Sequence, residues 1–345
     1  MTIMKKIKRI LPVLAACSLL AGCYEDYVRD YDYSTIYSAY QYDLRTFVVG
    51  EGAKFDFTVS LAGVMKNSKD RKVTVELADD LVTADLPTAL GLSDYSPFTA
   101  YNGMLGNGKF GALSQSYVSN EIKETGAKSL RVLPSEYYDV EGLGAMNIKA
   151  GRHTSAATIK AREEFFKDPS AIAPNYAIAF RITSADADKL VPEKSFEVIA
   201  VKYECKFFGY WYYGGQRKIV DNATGKEVKT ESYPFAVPQD DSKIYTLTTT
   251  GPYSVKTNKI GQKAGSFELV FDGENITATC SDPAVTVGYC YTNNAPAIQK
   301  RVIYLNYSYD NGDGTTSVVS DYLTFRNRIR DGVSEWQDEN PENYE

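Results

Sequence analysis

An all-β fold is what this sequence predicts, and three observations carry the prediction. Apolar and polar residues alternate with period two in one segment after another. Clusters of Gly, Asn, Asp and Pro separate those segments, and no stretch sustains a long helical period. The 345 residues are too many for one ordinary domain and fit two, at roughly 100 to 200 residues each.

The elements follow in chain order. In 54–61, Phe55, Phe57, Val59 and Leu61 alternate with Lys54, Asp56, Thr58 and Ser60, the pattern of a half-buried strand. Val73, Val75 and Leu77 repeat it. Further strands are expected at 44–49, 128–133, 146–149, 157–160, 176–183 and 196–203, and a helical turn or two at 163–167, stopped by Asp168-Pro169. A Gly-, Ser- and Asn-rich insertion spans roughly 85–125. A stretch that long without a strand pattern is usually functional or mobile. Short strands with little helix argue for an immunoglobulin-like antiparallel sandwich over 36–202.

A second block, 203–336, opens on Phe207-Phe208-Gly209-Tyr210-Trp211-Tyr212-Tyr213-Gly214-Gly215. Strands are expected at 226–230, 244–249, 267–271, 276–280, 285–291, 301–309 and 321–326. The run Asp310-Asn311-Gly312-Asp313-Gly314 reads as a hairpin turn, because Asn-Gly and Asp-Gly tolerate positive φ. It lacks the spacing and closing Glu of an EF-hand calcium loop. About eight closely connected strands fit an antiparallel barrel of lipocalin-like form or a second sandwich, and pattern alone does not separate these. The segment 337–345 is an acidic tail.

The first 22 residues carry an address. Lys5, Lys6, Lys8 and Arg9 precede a short apolar run, and Leu20-Ala21-Gly22-Cys23 follows. This resembles a bacterial lipoprotein signal peptide, and the apolar run is about half of what spans a bilayer. The resemblance implies cleavage before Cys23 and acylation of that cysteine. Removing 22 residues from 345 leaves 323, and removing four basic residues from a chain of formal net charge -6 leaves -10. Such a balance excludes a nucleic-acid footprint. Residues 23–35 form a tether in which Glu25 and Asp26 follow the cysteine closely, among Tyr24, Tyr27, Tyr31 and Tyr33. Acidic residues at that place resemble the surface-export signal of Bacteroidetes-type lipoproteins. The expected location is therefore the outer membrane, lipid-anchored, on the cell surface.

A second resemblance covers most of the chain after the tether. Leu133-Pro134-Ser135-Glu136-Tyr137-Tyr138, the turn at Lys149-Ala150-Gly151, Phe165-Phe166-Lys167-Asp168-Pro169 and the run 176–186 resemble an N-terminal β-sandwich domain of unknown function. That domain occurs in surface lipoproteins of Bacteroidetes polysaccharide-utilisation loci, sometimes in front of an endo-β-N-acetylglucosaminidase. The stretches 305–309 and 321–328 are similar to the β-rich domain that commonly follows. The family's closing strand tends to read Arg-Asp-Arg, where this chain has Arg326-Asn327-Arg328. The resemblance implies a glycan-related role, with an outer-membrane transporter and its companion lipoprotein as partners.

Composition narrows the chemistry. With one histidine, His153, a Ser-His-Asp or Cys-His nucleophile has a single source for its base, and a multi-histidine zinc site has none. A glycosidase needs two carboxylates roughly 5 to 10 Å apart across a cleft; the chain has no spaced-acid motif and no room for a catalytic (β/α)8 barrel of about 250 residues. Neither a catalytic site, a metal site nor a cofactor is expected. Cys205, Cys280 and Cys290 remain once Cys17 and Cys23 are set aside, an odd number that leaves at least one free. Cys280 and Cys290 are the one pair considered for a disulfide, against buried free thiols.

The skew is aromatic, 27 Tyr and 15 Phe beside 2 Trp. Sugar rings present apolar C–H faces that pack on aromatic rings, while amides and carboxylates take the hydroxyls. Strand parity puts Tyr210 and Tyr212 on one side and Trp211 and Tyr213 on the other, so one pair is core and the other a platform. These four, with Tyr289, Tyr291, Asn293 and Trp336, are the candidate glycan contacts. The expected function is non-catalytic glycan binding by a surface lipoprotein. The alternatives are a structural adhesin or assembly lipoprotein docking protein, and a glycoside hydrolase.

Overall fold

The computed structural model describes residues 30–82, 131–237 and 239–336. The expected leader 1–22, Cys23, most of the expected tether, the insertion at 85–125 and the tail 337–345 lie outside the described residues.

Among the described residues ten strands build the sandwich: β1 (Thr35–Ser38), β2 (Tyr42–Val49), β3 (Lys54–Ala62), β4 (Arg71–Leu77), β5 (Arg131–Val132), β6 (Tyr138–Glu141), β7 (Asn147–Ile148), β8 (Thr154–Ala161), β9 (Tyr176–Ala185) and β10 (Phe196–Cys205). One sheet runs β1-β3-β8-β6 and the other β2-β10-β9-β4-β7, with β5 beside β9. Most pairs are antiparallel, and two, β2–β10 and β5–β9, are parallel. The alternation read in β3 buries Phe57, Val59 and Leu61 between the sheets, where Phe57 stacks on Phe180 at 4.4 Å. By contrast β10 is buried along almost its whole length, Glu197 and Lys202 included, because a strand covered on both faces has no solvent side. The one α-helix among the described residues, α1 (Glu163–Lys167), sets Phe165 into the core against Phe47 and Tyr203.

The second block is a barrel, not a sandwich. Its strands are β11 (Gly209–Asp221), β12 (Glu227–Tyr233), β13 (Tyr245–Gly251), β14 (Ser254–Thr257), β15 (Phe267–Asp272), β16 (Asn275–Cys280), β17 (Val285–Val287), β18 (Cys290–Thr292), β19 (Val302–Asp310), β20 (Thr315–Arg330) and β21 (Val333–Trp336). The order β11-β13-β14-β15-β16-β18-β19-β20 closes through a long β11–β20 pairing, from Tyr210 opposite Asn327 to Asp221 opposite Thr315. Closure leaves these eight strands no free edge. The expected single strand at 285–291 divides at Gly288, and the expected hairpin forms, Asn311 N–H donating to Thr315 O at 2.9 Å. Both its carboxylates accept from the turn backbone, Asp310 from Gly312 N–H and Asp313 from Thr315 N–H, so they serve the turn. Cys205, Cys280 and Cys290 are free thiols, the first and last buried.

An ionic cluster joins the two parts. Glu51, in the β2–β3 turn, accepts from Arg301 at 2.7 Å and from Arg328 at 2.6 Å. Arg328 also bonds Glu335 across the β20–β21 pair, and its guanidinium lies over Phe208. Both arginine side chains are 3% exposed. At the Arg326-Asn327-Arg328 strand the acids thus come from other elements, and the Asn327 side-chain oxygen is buried without a partner among the described residues.

Candidate functional site

Side chains pointing into the barrel divide it along its axis. Toward the sandwich they are apolar: Trp211, Leu247, Leu269, Ile303, Leu305, Leu323 and Phe325. Two residues further along the same strands the composition changes to Tyr213 on β11, Tyr307 on β19 and Asp321 on β20, with Tyr233 from β12 and Tyr245 from β13. Beyond these lie Arg217 and Tyr309, bordering a cavity of about 490 Å³ that Tyr213, Tyr233, Tyr307, Gln239, Gln262 and Lys263 also line. That volume falls in the range of small-molecule sites.

Asp321 lies beneath the lining tyrosines. Tyr233 donates to its Oδ1 at 2.7 Å and Tyr307 to its Oδ2 at 2.8 Å, and Tyr213 also hydrogen-bonds it. Two glycines make the arrangement possible. Gly215 stands opposite Asp321 in the β11–β20 ladder, and a Cβ there would lie 2.5 Å from Oδ1. Gly261, at φ +56°, would put a Cβ 2.5 Å from the Tyr307 hydroxyl. Burial raises the Asp321 carboxyl to about 6 against the phenol hydrogen bonds that favour its ionised form. Burial first, and then the Asp321 charge, push Tyr213, Tyr233 and Tyr307 well above the ordinary phenol range, so these hydroxyls act as neutral donors.

The raised Asp321 value has a testable sign. The folded state holds this proton more tightly than an unfolded aspartate of 3.8, so the residue's contribution to stability falls as pH rises from about 4 to about 6. The fall amounts to about 3 kcal/mol. Asp321→Asn removes it: the unfolding free energy of the variant relative to wild type is expected to rise by that amount between pH 4 and pH 7, measured by urea denaturation. Parallel pH profiles for the two proteins would refute this role.

The mouth is made where β11 changes neighbours. It pairs with β13 over Gly209–Trp211 and with β12 from Gly215 onward, which leaves Tyr213 unpaired on that side. The Gln239 amide fills the gap, accepting from Tyr213 N–H at 2.9 Å and donating to its carbonyl at 2.7 Å. The connection from β12 to β13 thereby folds over the opening and brings Pro234, Gln239 and Lys243 to its rim. Across β11 and β12, Arg217 Nη2 donates to Glu231 Oε2 at 2.6 Å, while its Nη1 reaches the Tyr309 hydroxyl at 3.3 Å. Hydrogen bonds from Lys229 and then Arg217 hold the Glu231 carboxyl below its usual range. Lys263 Nζ stands 4.3 Å from the Tyr309 ring centroid.

Of the residues picked from sequence, the cavity includes Tyr213 alone among the described side chains. Trp211 shares its inward parity but is 0% exposed, its Nε1–H donating to Phe207 O at 3.1 Å: it is core, not a contact. Tyr210 and Tyr212 point outward, where Tyr212 stacks on Phe235 at 5.6 Å. Tyr289, 66% exposed, stacks on Tyr291 at 5.4 Å, and Tyr291 on Tyr304 at 4.5 Å. These rings, stacked at 15°, form a row on the barrel's outer wall, away from the cavity. Asn293 braces its own turn, donating to Lys300 O and accepting from Val302 N–H. Trp336 pairs with Asn327 in the β20–β21 ladder, and its side chain lies outside the described residues. His153 lies 3.3 Å from Val64 O, on the sandwich. Sequence reading missed Arg217, Tyr233, Tyr307, Tyr309 and Asp321.

Residues 31–189 match a family model described as "-like, N-terminal domain". No curated protein matches the chain. Among solved structures, a Bacteroides ovatus protein of unknown function is 18% identical, with a TM-score of 0.57 over 86% of this chain and 95% of its own. That likeness supports a shared fold. A second Bacteroides ovatus protein of unknown function is 12% identical, with a TM-score of 0.38 over 88% of this chain and 100% of its own. A Bacteroides thetaiotaomicron protein described as an auxiliary nutrient binding protein is 12% identical, with a TM-score of 0.35 over 86% of this chain and 96% of its own.

Proposed function

We propose that this chain is a non-catalytic glycan-binding lipoprotein, anchored through Cys23 at the cell surface, and that the mouth of its barrel holds the sugar. One observation carries the reading: Tyr213, Tyr233, Tyr307 and Tyr309 line a single cavity together with Gln262 and charged residues. Ring faces suit the apolar faces of a pyranose, and the polar groups suit its hydroxyls. Glu231 lines the cavity and Asp321 lies beneath it, and both are engaged, Asp321 by phenol donors and Glu231 by Arg217 and Lys229. Neither stands as a free acid or nucleophile, which supports binding without cleavage. In this role the partners are an oligosaccharide or glycoprotein glycan, and an outer-membrane transporter with its companion lipoprotein.

Affinity electrophoresis against host N-glycans, mucin O-glycans and plant polysaccharides tests it. At least one glycan is expected to retard the protein; Tyr309→Ala weakens that binding about three- to tenfold, and Tyr289→Ala leaves it unchanged. The exposed Tyr289 row supports the competing adhesin reading, in which a protein docks on the barrel's outer wall. Uniform lack of retardation, with a protein partner lost on Tyr289→Ala, would establish that reading instead.

A further inference from the structure

Charge at the mouth says which saccharides fit. Resting on the glycan-binding reading, we propose that the cavity selects an anionic sugar and holds its carboxylate or sulfate between Lys243 and Lys263. The cavity lining contains three cationic side chains, Arg217, Lys243 and Lys263, and one carboxylate, Glu231. Glu231 is consumed, since Arg217 and Lys229 reach it at 2.6 and 2.7 Å. Asp321 lies beneath the tyrosines with both oxygens taken by phenol hydrogen bonds. Lys263 has only a loose ion pair, 3.6 Å from Asp282, and Lys243, without a close ion pair among the described residues, interacts with the Asp240 charge at longer range.

This surplus of positive charge sits in a chain of formal net charge -6, so it runs against the overall balance. A cleft with low-dielectric walls focuses such a field and strengthens a charge-assisted hydrogen bond made inside it. A neutral sugar would displace water from the two ammonium groups and return no charge to them. An anionic one supplies the missing partner, and the preference follows from that difference.

The test is calorimetric titration of the full chain with matched pairs: galacturonate against galactose oligomers, sialyllactose against lactose, and chondroitin sulfate against desulfated chondroitin oligomers. The uronate and sialyl arms read carboxylate and the chondroitin arm reads sulfate. At least one acidic member is expected to bind about tenfold tighter than its neutral partner, with affinity falling as salt rises. Lys243→Ala, a change at an exposed rim position, is expected to weaken the acidic member about five- to tenfold and the neutral one by less than twofold. Neutral members binding as tightly as acidic ones would overturn the charge preference and leave glycan binding standing. An acidic preference untouched by Lys243→Ala and Lys263→Ala together would overturn the assignment to this rim. Failure of every saccharide to bind would overturn both.

Discussion

Replacing Glu51 with alanine is expected to lower the unfolding free energy by about 3–5 kcal/mol, because it strands two buried guanidinium groups without their shared counter-ion. Arg301 keeps its hydrogen bonds to the carbonyls of Ala295, Pro296 and Lys206, and Arg328 keeps Glu335, but no other described carboxylate takes the place of Glu51 between them. The pH dependence follows from the same contacts. Burial alone would raise the Glu51 carboxyl, yet hydrogen bonds from Arg328 and the charges of Arg328 and Arg301 outweigh it and hold it below its ordinary 4.5. Its contribution is therefore complete above the unfolded value and is lost as pH falls through the lower folded one. Urea denaturation at pH 7 and at pH 3 measures both: the gap between wild type and Glu51→Ala should be larger at the first than at the second. A gap under about 1 kcal/mol at pH 7 would mean that the cluster is no more than a surface pair.

Trp211→Ala is expected to cost about 3–5 kcal/mol of stability while leaving glycan affinity within about twofold, provided the titration is made well below the variant's melting temperature. The ring fills the closed half of the barrel, 5.7 Å from Phe325 and 6.3 Å from Phe207, and the cavity begins beyond it at Tyr213. Loss of binding from a folded Trp211→Ala protein would place the sugar in the wrong half. Thermal melting together with calorimetric titration separates the two effects.

These two residues show what the sequence made legible and what it concealed. Alternation in 54–61 and 301–309 gave strands, and strand parity correctly divided Tyr210 and Tyr212 from Trp211 and Tyr213. Parity does not say which side is enclosed by closure, and so Trp211 and Tyr213 looked equivalent when only one reaches the mouth. Barrel rather than sandwich depends on the β11–β20 pairing, a contact across about a hundred residues that no local pattern encodes. Short edge strands such as β1 and β6 were missed because four residues hold too few repeats to establish a period. Asp321 did leave a signal. It occupies an inward position between Val319 and Leu323, and a charge at an apolar parity position needs partners, here the phenols of Tyr233 and Tyr307. The Glu51 cluster left none, since its members lie 250 and 277 positions apart.

An electron-density map of the chain crystallised with the saccharide it retains best is the most direct measurement of where the ligand sits. The expected map shows a sugar ring in the mouth against Tyr309 and Gln262, above unbroken Asp321–tyrosine hydrogen bonds, with any acidic group turned toward Lys243 and Lys263. A sugar seated on the Tyr289–Tyr291–Tyr304 row over an empty mouth would contradict it.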